Sequence, residues 1–376
     1  MMHKHASRFP SICKKKWINV PEDHWNSWIW QQQNRLTTPE EIGEITVVKE
    51  SEKAAFKKCA EKFNVAVTPY YASLMDDTDE NCPIRKQVIP SHSELVKSDF
   101  EQADPLGEEA QSPVPGLIHR YPDRVLLYTT HNCPVYCRHC TRKRKVSDPA
   151  SMPFKNDFQT ALEYIRHNVQ IRDVILSGGD PLSLSNARLE ELLKSLYEIS
   201  HVEIVRIGTR NPVTLPQRID AELATLLKKY RPIYIMTHFN HPKECTRESL
   251  KAAIRLADAG IPVMNQTVLL KGVNDNAEIL KELNHNLLLM NIRPYYLFQC
   301  DAAEGISHFR VSLEQSLKII DQLQGWTSGL AVPKLIVDLP GGGGKVHIAP
   351  EKIIKDKSGH ISFKNYRGNM FEYDDF

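Results

Sequence analysis

At 376 residues, 41% hydrophobic and 25% charged, the chain has the make-up of an ordinary soluble globular protein, long enough for one large α/β core and an accessory part. A formal charge of +2 supplies no electrostatic argument for a nucleic-acid partner. No apolar stretch approaches about 18 residues, so no membrane span is expected, and the basic N-terminus lacks the apolar run of an export signal, which points to the cytoplasm.

Residues 17–76 read as helical. Pro21-Glu-Asp-His-Trp25 starts one helix, and Trp25, Trp28, Ile29, Trp30 and Leu36 form a broad apolar face for packing. Thr37-Thr38-Pro39-Glu40-Glu41 starts another, with a capping hydroxyl, proline in the first turn and acids favoured by the helix dipole. The run Lys14-Lys15-Lys16 reads as a solvated face. Residues 81–118 carry Pro83, Pro90, Pro105, Pro113 and Pro115 with little periodicity, and are expected to wrap the next domain in extended form without a helix.

Apolar, β-rich runs then begin near Arg124, Asp173, Glu203, Ile233, Val263, Arg293 and Lys334, the second to sixth recurring about every 30 residues. Helical patterns such as Leu189–Ile199 and Ser249–Ala259 fill the gaps, so βαβ units and a parallel sheet are expected. Both a doubly wound sheet and a barrel fit that period. The suggestive groups (the cysteine loop after the first run, Ser177-Gly-Gly-Asp180, Thr209-Arg210, His238, Gln266, Asp301, Asp338) all fall at the C-terminal ends of their strands. Barrels gather sites from many strands at that face, whereas doubly wound sheets use mainly one switch point, so a barrel, complete or partial, is favoured.

The sharpest local signal is Cys133-Pro-Val-Tyr-Cys137-Arg-His-Cys140. Three thiolates in this C-x3-C-x2-C spacing can hold three corners of a [4Fe–4S] cluster and leave one iron open to another ligand. Zinc is the rival reading, with His131 or His139 as fourth ligand, but no second C-x2-C pair accompanies the triplet. Disulfides fit poorly, because a triplet leaves one thiol over and the remaining cysteines, Cys13, Cys59, Cys82, Cys245 and Cys300, show no framework spacing. Gly341-Gly-Gly-Gly344-Lys345 is the second motif. It reads as a linker, a phosphate-binding loop or a mobile lid; it lacks the Ser/Thr and the upstream spacing of a P-loop. A lysine ending a glycine loop can swing, which suits a Schiff-base residue.

The cysteine spacing resembles the radical S-adenosylmethionine superfamily. The wider stretches His119-Arg-Tyr-Pro-Asp-Arg124 and Cys140-Thr-Arg142-Lys-Arg144 resemble the lysine 2,3-aminomutase family, with similarity running from about Trp17 to about Lys345. The resemblance implies a partial (β/α)6 TIM-type barrel at residues 119–345, preceded by a helical region (1–80) and the wrapping segment (81–118), and followed by a short C-terminal extension (346–376). It implies a [4Fe–4S] cluster on Cys133, Cys137 and Cys140, with S-adenosylmethionine held by Ser177, Gly178, Gly179, Asp180 and Thr209; His238 is placed with the cofactor-binding residues. It also implies pyridoxal phosphate linked to Lys345, with Arg120, Tyr121, Arg124 and Gln266 as cofactor contacts. Arg142 matches the residue that clamps the substrate carboxylate, and Asp301 and Asp338 match the pair that binds the lysine ammonium. On residues alone, Arg120 and Arg124 read as surface ion pairs, and an Asp at a strand end as a helix cap.

The implied reaction uses a 5′-deoxyadenosyl radical and an external aldimine to move the α-amino group of L-lysine to the β-carbon, giving β-lysine. Arginine is an alternative substrate, and supply of β-lysine for modifying translation elongation factor P an alternative purpose. An electron donor such as flavodoxin or ferredoxin is implied, and a homo-oligomer is expected. The family's C-terminal zinc is not expected, because no cysteine follows Cys300 and the Gly272-Val-Asn-Asp-Asn276 loop has Asn where the family's partnering cysteine would be. Two rival classes are a radical enzyme acting on RNA or protein and a non-catalytic zinc protein of barrel fold.

Overall fold

The computed structural model describes residues 4–60, 63–96, 98–146, 158–355 and 361–373; the outer ends of the first and last expected regions, 1–3 and 374–376, lie outside the described residues. The chain opens with short helices, α1 (Glu22–Trp25), α2 (Trp28–Gln33), α3 (Pro39–Gly43), α4 (Glu50–Ala60) and α5 (Pro69–Ala72). Thr38 caps α3 in a reciprocal capping box with Glu41, as its sequence demands. Trp25 and Leu36 are buried as expected, whereas Ile29 is 51% exposed. The α2 helix is only six residues long, and its apolar stripe covers less than a full turn.

The 81–118 segment is not uniformly extended. Pro83 starts a helical turn, α6 (Pro83–Lys86), with its fixed φ at the first position, and a 3-10 turn spans His92–Leu95. The segment then forms an unanticipated edge strand, β1 (Leu117–Tyr121), antiparallel to the next.

Seven parallel strands follow: β2 (Arg124–Thr130), β3 (Asp173–Gly178), β4 (Ile204–Gly208), β5 (Ile233–Thr237), β6 (Val263–Leu269), β7 (Ile292–Gln299) and β8 (Lys334–Leu339). They lie in chain order across the sheet, which is the expected partial barrel. Helices α7 (Gln159–His167), α8 (Asn186–Tyr197), α9 (Asn211–Thr214), α10 (Ala221–Lys229), α11 (Arg247–Asp258), α12 (Ala277–Leu289) and α13 (Leu313–Leu323) return the chain between them. The α8 helix is typical: Leu189, Leu192, Leu193 and Leu196 recur at helical spacing and are all buried. Each such leucine contributes about 1.5–3 kcal/mol. On β3 the buried Val174, Leu176 and Gly178 alternate with half-buried Asp173, Ile175 and Ser177; the half-buried residues line the central cavity, joined by Gly178 at the strand end. Among the described residues no helix is long and apolar enough to cross a membrane.

A second unanticipated edge strand, β9 (Gly344–Ile348), runs antiparallel to β8. Gly341, Gly342 and Gly344 all take positive φ, which lets the chain reverse between β8 and β9 within a few residues. Lys345 therefore sits in strand ladder opposite Asp338, a correction to its placement on a loose loop. Beyond it a small antiparallel meander, β10 (Ile353–Lys355), β11 (Ile361–Lys364) and β12 (Met370–Tyr373), forms a separate sheet.

The edge strands β1 and β9 do not pair with each other. Side chains bridge the seam instead: Arg120 Nη1 reaches Asp338 Oδ1 at 3.2 Å, and the Lys345 amide donates to the Tyr121 hydroxyl at 2.8 Å. The N-terminal helices cap the barrel mouth through buried bonds, Tyr71 Oη to Glu244 (2.6 Å) and Thr68 Oγ1 to the Thr214 carbonyl (2.6 Å).

The loop after β2 is pinned by a buried ion cluster. Arg138 grips Glu94 through Nε (2.9 and 3.1 Å) and Nη2 (2.5 Å), and Lys143 Nζ lies 3.4 Å from the same carboxylate. Breaking such a pair leaves an uncompensated buried charge. Glu94→Gln is expected to lower the stability of the metal-free protein by about 3–5 kcal/mol, read as a shift of the denaturant midpoint at unchanged m.

Candidate active site

The barrel interior holds a cavity of about 600 Å³, large enough for cofactors together with a small substrate. Of the residues singled out in the sequence, Cys133, Cys137, Cys140, Ser177, Gly178, Gly179, Asp180, Thr209, His238, Gln266, Asp301, Asp338, Arg120, Tyr121, Arg124, Arg142 and Lys345 all line it. Most enter from the C-terminal ends of the strands. Others do not: Gln266 lies mid-strand in β6, Arg124 opens β2 at the opposite end with Arg120 and Tyr121 of antiparallel β1 beside it, and Lys345 lies near the start of β9. The cavity therefore runs along the barrel axis.

At the mouth, burial pushes the Cys133 thiol up and the Cys140 thiol up to about 11, in each case with neighbouring cysteines adding to the rise. Such thiols give up their protons to a metal, and only with a metal to compensate the charge. Among the described residues no three His, Cys, Asp or Glu side chains converge on the position of a single ion. One thiolate per corner of a cluster is the arrangement that three thiols along one cavity wall suit. His139, beside them, is buried and held neutral, its ring edge-on to Phe309 at 6.2 Å.

The β3 turn is drawn against the β2 loop. The Gly179 amide donates to the Thr130 carbonyl at 2.6 Å, and a Cβ on Gly179 would lie 2.4 Å from the Asn132 carbonyl oxygen, so only glycine fits. Asp180 has both oxygens engaged, by Thr209 Oγ1 (2.7 Å), the Leu182 amide (3.0 Å) and the Arg210 amide (2.8 Å). It ties the ends of β3 and β4 together, and burial raises its carboxyl above the ordinary range. His238 is held neutral, pushed down to about 4 by burial and by the Arg210 charge.

Arg142 forms a bidentate pair with Glu108, from Nε at 2.9 and 3.1 Å and from Nη2 at 2.5 Å. Tyr128 Oη donates to the same carboxylate at 2.8 Å. Burial would raise Glu108, but the arginine fork and the tyrosine hold it below the ordinary carboxylate range. Asp301 accepts from Thr141 Oγ1 at 2.9 Å, and burial, reinforced by the nearby Asp338, pushes its carboxyl up to about 6. Asp338 lies between Arg120 and the Lys345 ammonium, which also sits 5.4 Å from the centre of the Phe298 ring.

Arg120 is held on three sides, by Gln111 Oε1 (2.6 Å), the Leu106 carbonyl (2.6 Å) and Asp338. Arg124 stacks on Tyr121 at 3.9 Å. Deeper in the cavity Arg206 pairs with Asp173 (2.9 and 2.8 Å), and Tyr295 stacks on Tyr296 at 3.8 Å where a bulge after Pro294 turns both rings inward. A lysine within a cavity containing Arg120, Arg124 and Arg206 fits a carbonyl cofactor with a phosphate: an amine for the carbonyl, cations for the dianion.

Sequence reading missed Glu108, Gln111, Tyr128, Thr141, Asp173, Arg206 and the two tyrosines. Asp173 and Arg206 had a signal, the period-two alternation that aims them inward, whereas the two adjacent tyrosines face the cavity together only because of the bulge. Glu108 and Gln111 had none, because they lie in the aperiodic Pro-rich segment.

Residues 127–283 match the family model described as the Radical SAM superfamily, and residues 320–375 the model described as Lysine-2,3-aminomutase. The fold and the cysteine-lined mouth are thus those of a radical S-adenosylmethionine enzyme, a superfamily that carries a [4Fe–4S] cluster and S-adenosylmethionine. The L-lysine 2,3-aminomutase of Fusobacterium nucleatum subsp. nucleatum is 48% identical over 361 residues, covering 96% of this chain and 85% of its own. That of Clostridium subterminale is 48% identical over 94% of this chain and 85% of its own, and the glutamate 2,3-aminomutase of Clostridioides difficile is 41% identical over 95% and 85%. The chain belongs to the lysine 2,3-aminomutase family and is an isomerase. Among solved structures, Streptococcus suis SuiB bound to S-adenosylmethionine overlays 53% of this chain and 43% of its own at a TM-score of 0.39 and 17% identity, too loose a match to argue from.

The strap from Pro105 to Gln111 fastens the turn that leads to Lys345. The Gly341 amide donates to the Pro105 carbonyl at 3.0 Å, and Gln111 Nε2 to the Gly342 carbonyl at 3.0 Å. Gly107, at φ +62°, has room for no side chain: a Cβ would stand 2.8 Å from the Gly341 carbonyl carbon. Gly107→Ala is expected to cost about 1–3 kcal/mol of stability without altering iron content. Thermal denaturation and iron analysis of the same preparation check this.

Proposed function

We propose that the chain moves the α-amino group of L-lysine to its β-carbon, giving β-lysine. The observation that carries this reading is the Lys345 ammonium lodged against Asp338 and over Phe298, with Asp301 in the same cavity. A primary ammonium on an alkyl chain already finds its partners there. Two carboxylates suit a cationic substrate side chain and repel the second carboxylate of glutamate.

When bound, the cluster with S-adenosylmethionine supplies a carbon radical, and pyridoxal phosphate supplies an imine whose π-system spreads the unpaired electron. The three cysteines hold the cluster. Ser177, Gly178, Gly179 and Thr209 offer S-adenosylmethionine a close backbone approach and polar contacts, Asp180 fixes that turn, and His238 stays neutral beside it. Lys345 carries pyridoxal phosphate, Arg120 and Arg124 face its phosphate, and Tyr121 and Gln266 orient it. Arg142 meets the substrate α-carboxylate with the guanidinium edge that Glu108 leaves open. Asp301 and Asp338 would then hold the distant ammonium, so that the substrate is fixed at both ends. The barrel wall and the N-terminal helices keep water out. A one-electron donor of the flavodoxin or ferredoxin class completes the system.

Borohydride reduction of the pyridoxal-loaded protein, followed by peptide mapping, is expected to mark Lys345. Lys345→Ala should lose the adduct and turnover while keeping its iron. An adduct on a different lysine overturns the assignment.

Asp301 ties activity to pH. Its carboxyl is raised to about 6, so it is neutral in more acid solution and gains its charge as pH rises. In anaerobic assays read by proton NMR of the product, kcat/KM for lysine should rise with pH through about 6, and Asp301→Asn should abolish that rise. Losing a charge-assisted bond of about 1.5–3 kcal/mol should also lower kcat/KM about 10- to 150-fold. Glutamate or arginine turned over faster than lysine would overturn the substrate assignment.

A further inference from the structure

Arg210 has no role in the proposed amino transfer, yet all three nitrogens of its guanidinium are hydrogen-bonded at the barrel mouth. It follows β4 and is 9% exposed. Nε donates to the His238 carbonyl at 3.1 Å. Nη2 donates to Gln87 Oε1 (2.5 Å), Glu244 Oε1 (2.7 Å) and Tyr71 Oη (3.2 Å). Nη1 donates to a sulfur, Cys137 Sγ, at 2.7 Å.

The partners hold that fork in one orientation. Glu244 is fully buried and also accepts from Tyr71 Oη (2.6 Å) and from the amides of Asn240 (2.5 Å) and His241 (3.0 Å). Gln87 receives the Arg138 amide on its main-chain carbonyl at 2.8 Å, so the network and the cysteine loop share an anchor. A buried ion pair with this many satisfied donors keeps its geometry, and a planar fork can serve Glu244 and Cys137 at once, which a lysine cannot.

Hydrogen bonds to ligating sulfurs are one of the levers that set iron–sulfur potentials. Reduction adds one electron, shared between irons and sulfurs, and makes the cluster more negative. A cationic N–H donor stabilises that state more than the oxidised one.

We propose that Arg210 raises the reduction potential of the cluster by donating the Nη1–H bond to the Cys137 thiolate, bringing cluster reduction within reach of a soluble one-electron donor. The electron comes from that donor, no bond breaks, and the arginine keeps its proton throughout. Arg210 is in this sense a positioning residue acting through Cys137. The inference rests on the superfamily's cluster and not on the choice of lysine as substrate.

The test is a redox titration of the full-length protein, reconstituted anaerobically and followed by electron paramagnetic resonance, for the parent, Arg210→Lys and Arg210→Gln. With iron and sulfide contents matched, Arg210→Gln is expected to lower the midpoint by about 59 mV, a tenfold change in the one-electron reduction equilibrium. Arg210→Lys should fall between, since it keeps the charge but not the fork. An unmoved midpoint in Arg210→Gln overturns the proposal. Should either variant fail to assemble a cluster, the parent decides. Protein labelled with ¹⁵N in its arginine guanidinium groups should show nitrogen coupling to the reduced cluster in pulsed resonance, and its absence overturns the proposal. A shifted midpoint in protein that leaves lysine unchanged would sink the substrate reading alone.

Discussion

The site depends on how the barrel's two free edges are brought together. Seven parallel strands curl, but β1 and β9 do not pair as a backbone ladder, so the cylinder stays open along one seam. Asp338 holds that seam, its side chain 6% exposed and set between the Arg120 guanidinium and the Lys345 ammonium. A closed ladder would fill its interior with side chains. Bridging by long polar side chains leaves a cavity and puts ionisable groups on its wall. The same interaction that completes the fold thus places a lysine, an arginine and a carboxylate within reach of one small molecule.

Around that seam the charges are arranged in pairs. Arg142 faces Glu108, Arg206 faces Asp173, and Arg120 is shared by Asp338 and the strap. Asp301 is the exception. Among the described residues its carboxylate accepts from the neutral Thr141 hydroxyl, and its acidity is displaced toward neutral. An under-compensated carboxylate in a cavity otherwise balanced is a demand for an incoming cation. His139 and His238 are neutral, so neither histidine answers it.

The short N-terminal helices have little stability of their own at four to eleven residues each. They are fastened to the barrel by Tyr70, Tyr71 and Thr68, and by Gln87 just beyond them. Several of these bonds end on the Glu244–Arg210 pair, so the cap and the cysteine loop share one buried network.

The strand runs were legible because a period of two and a repeat near 30 residues are local properties of the chain, and each strand appears within a residue of its expected start. The Cys133–Cys140 triplet and the Gly341–Lys345 run were legible for the same reason: their chemistry lies within a few consecutive residues. By itself the sequence determined the barrel, the three thiols and the lysine. Tertiary structure decided the partners. Glu108 meets Arg142 across 34 residues, Arg210 meets Cys137 across 73 and Arg120 meets Asp338 across 218. Such contacts follow from how far the sheet curls and where an aperiodic strap crosses it. Both are set by packing over the whole molecule, and no short-range spacing encodes them.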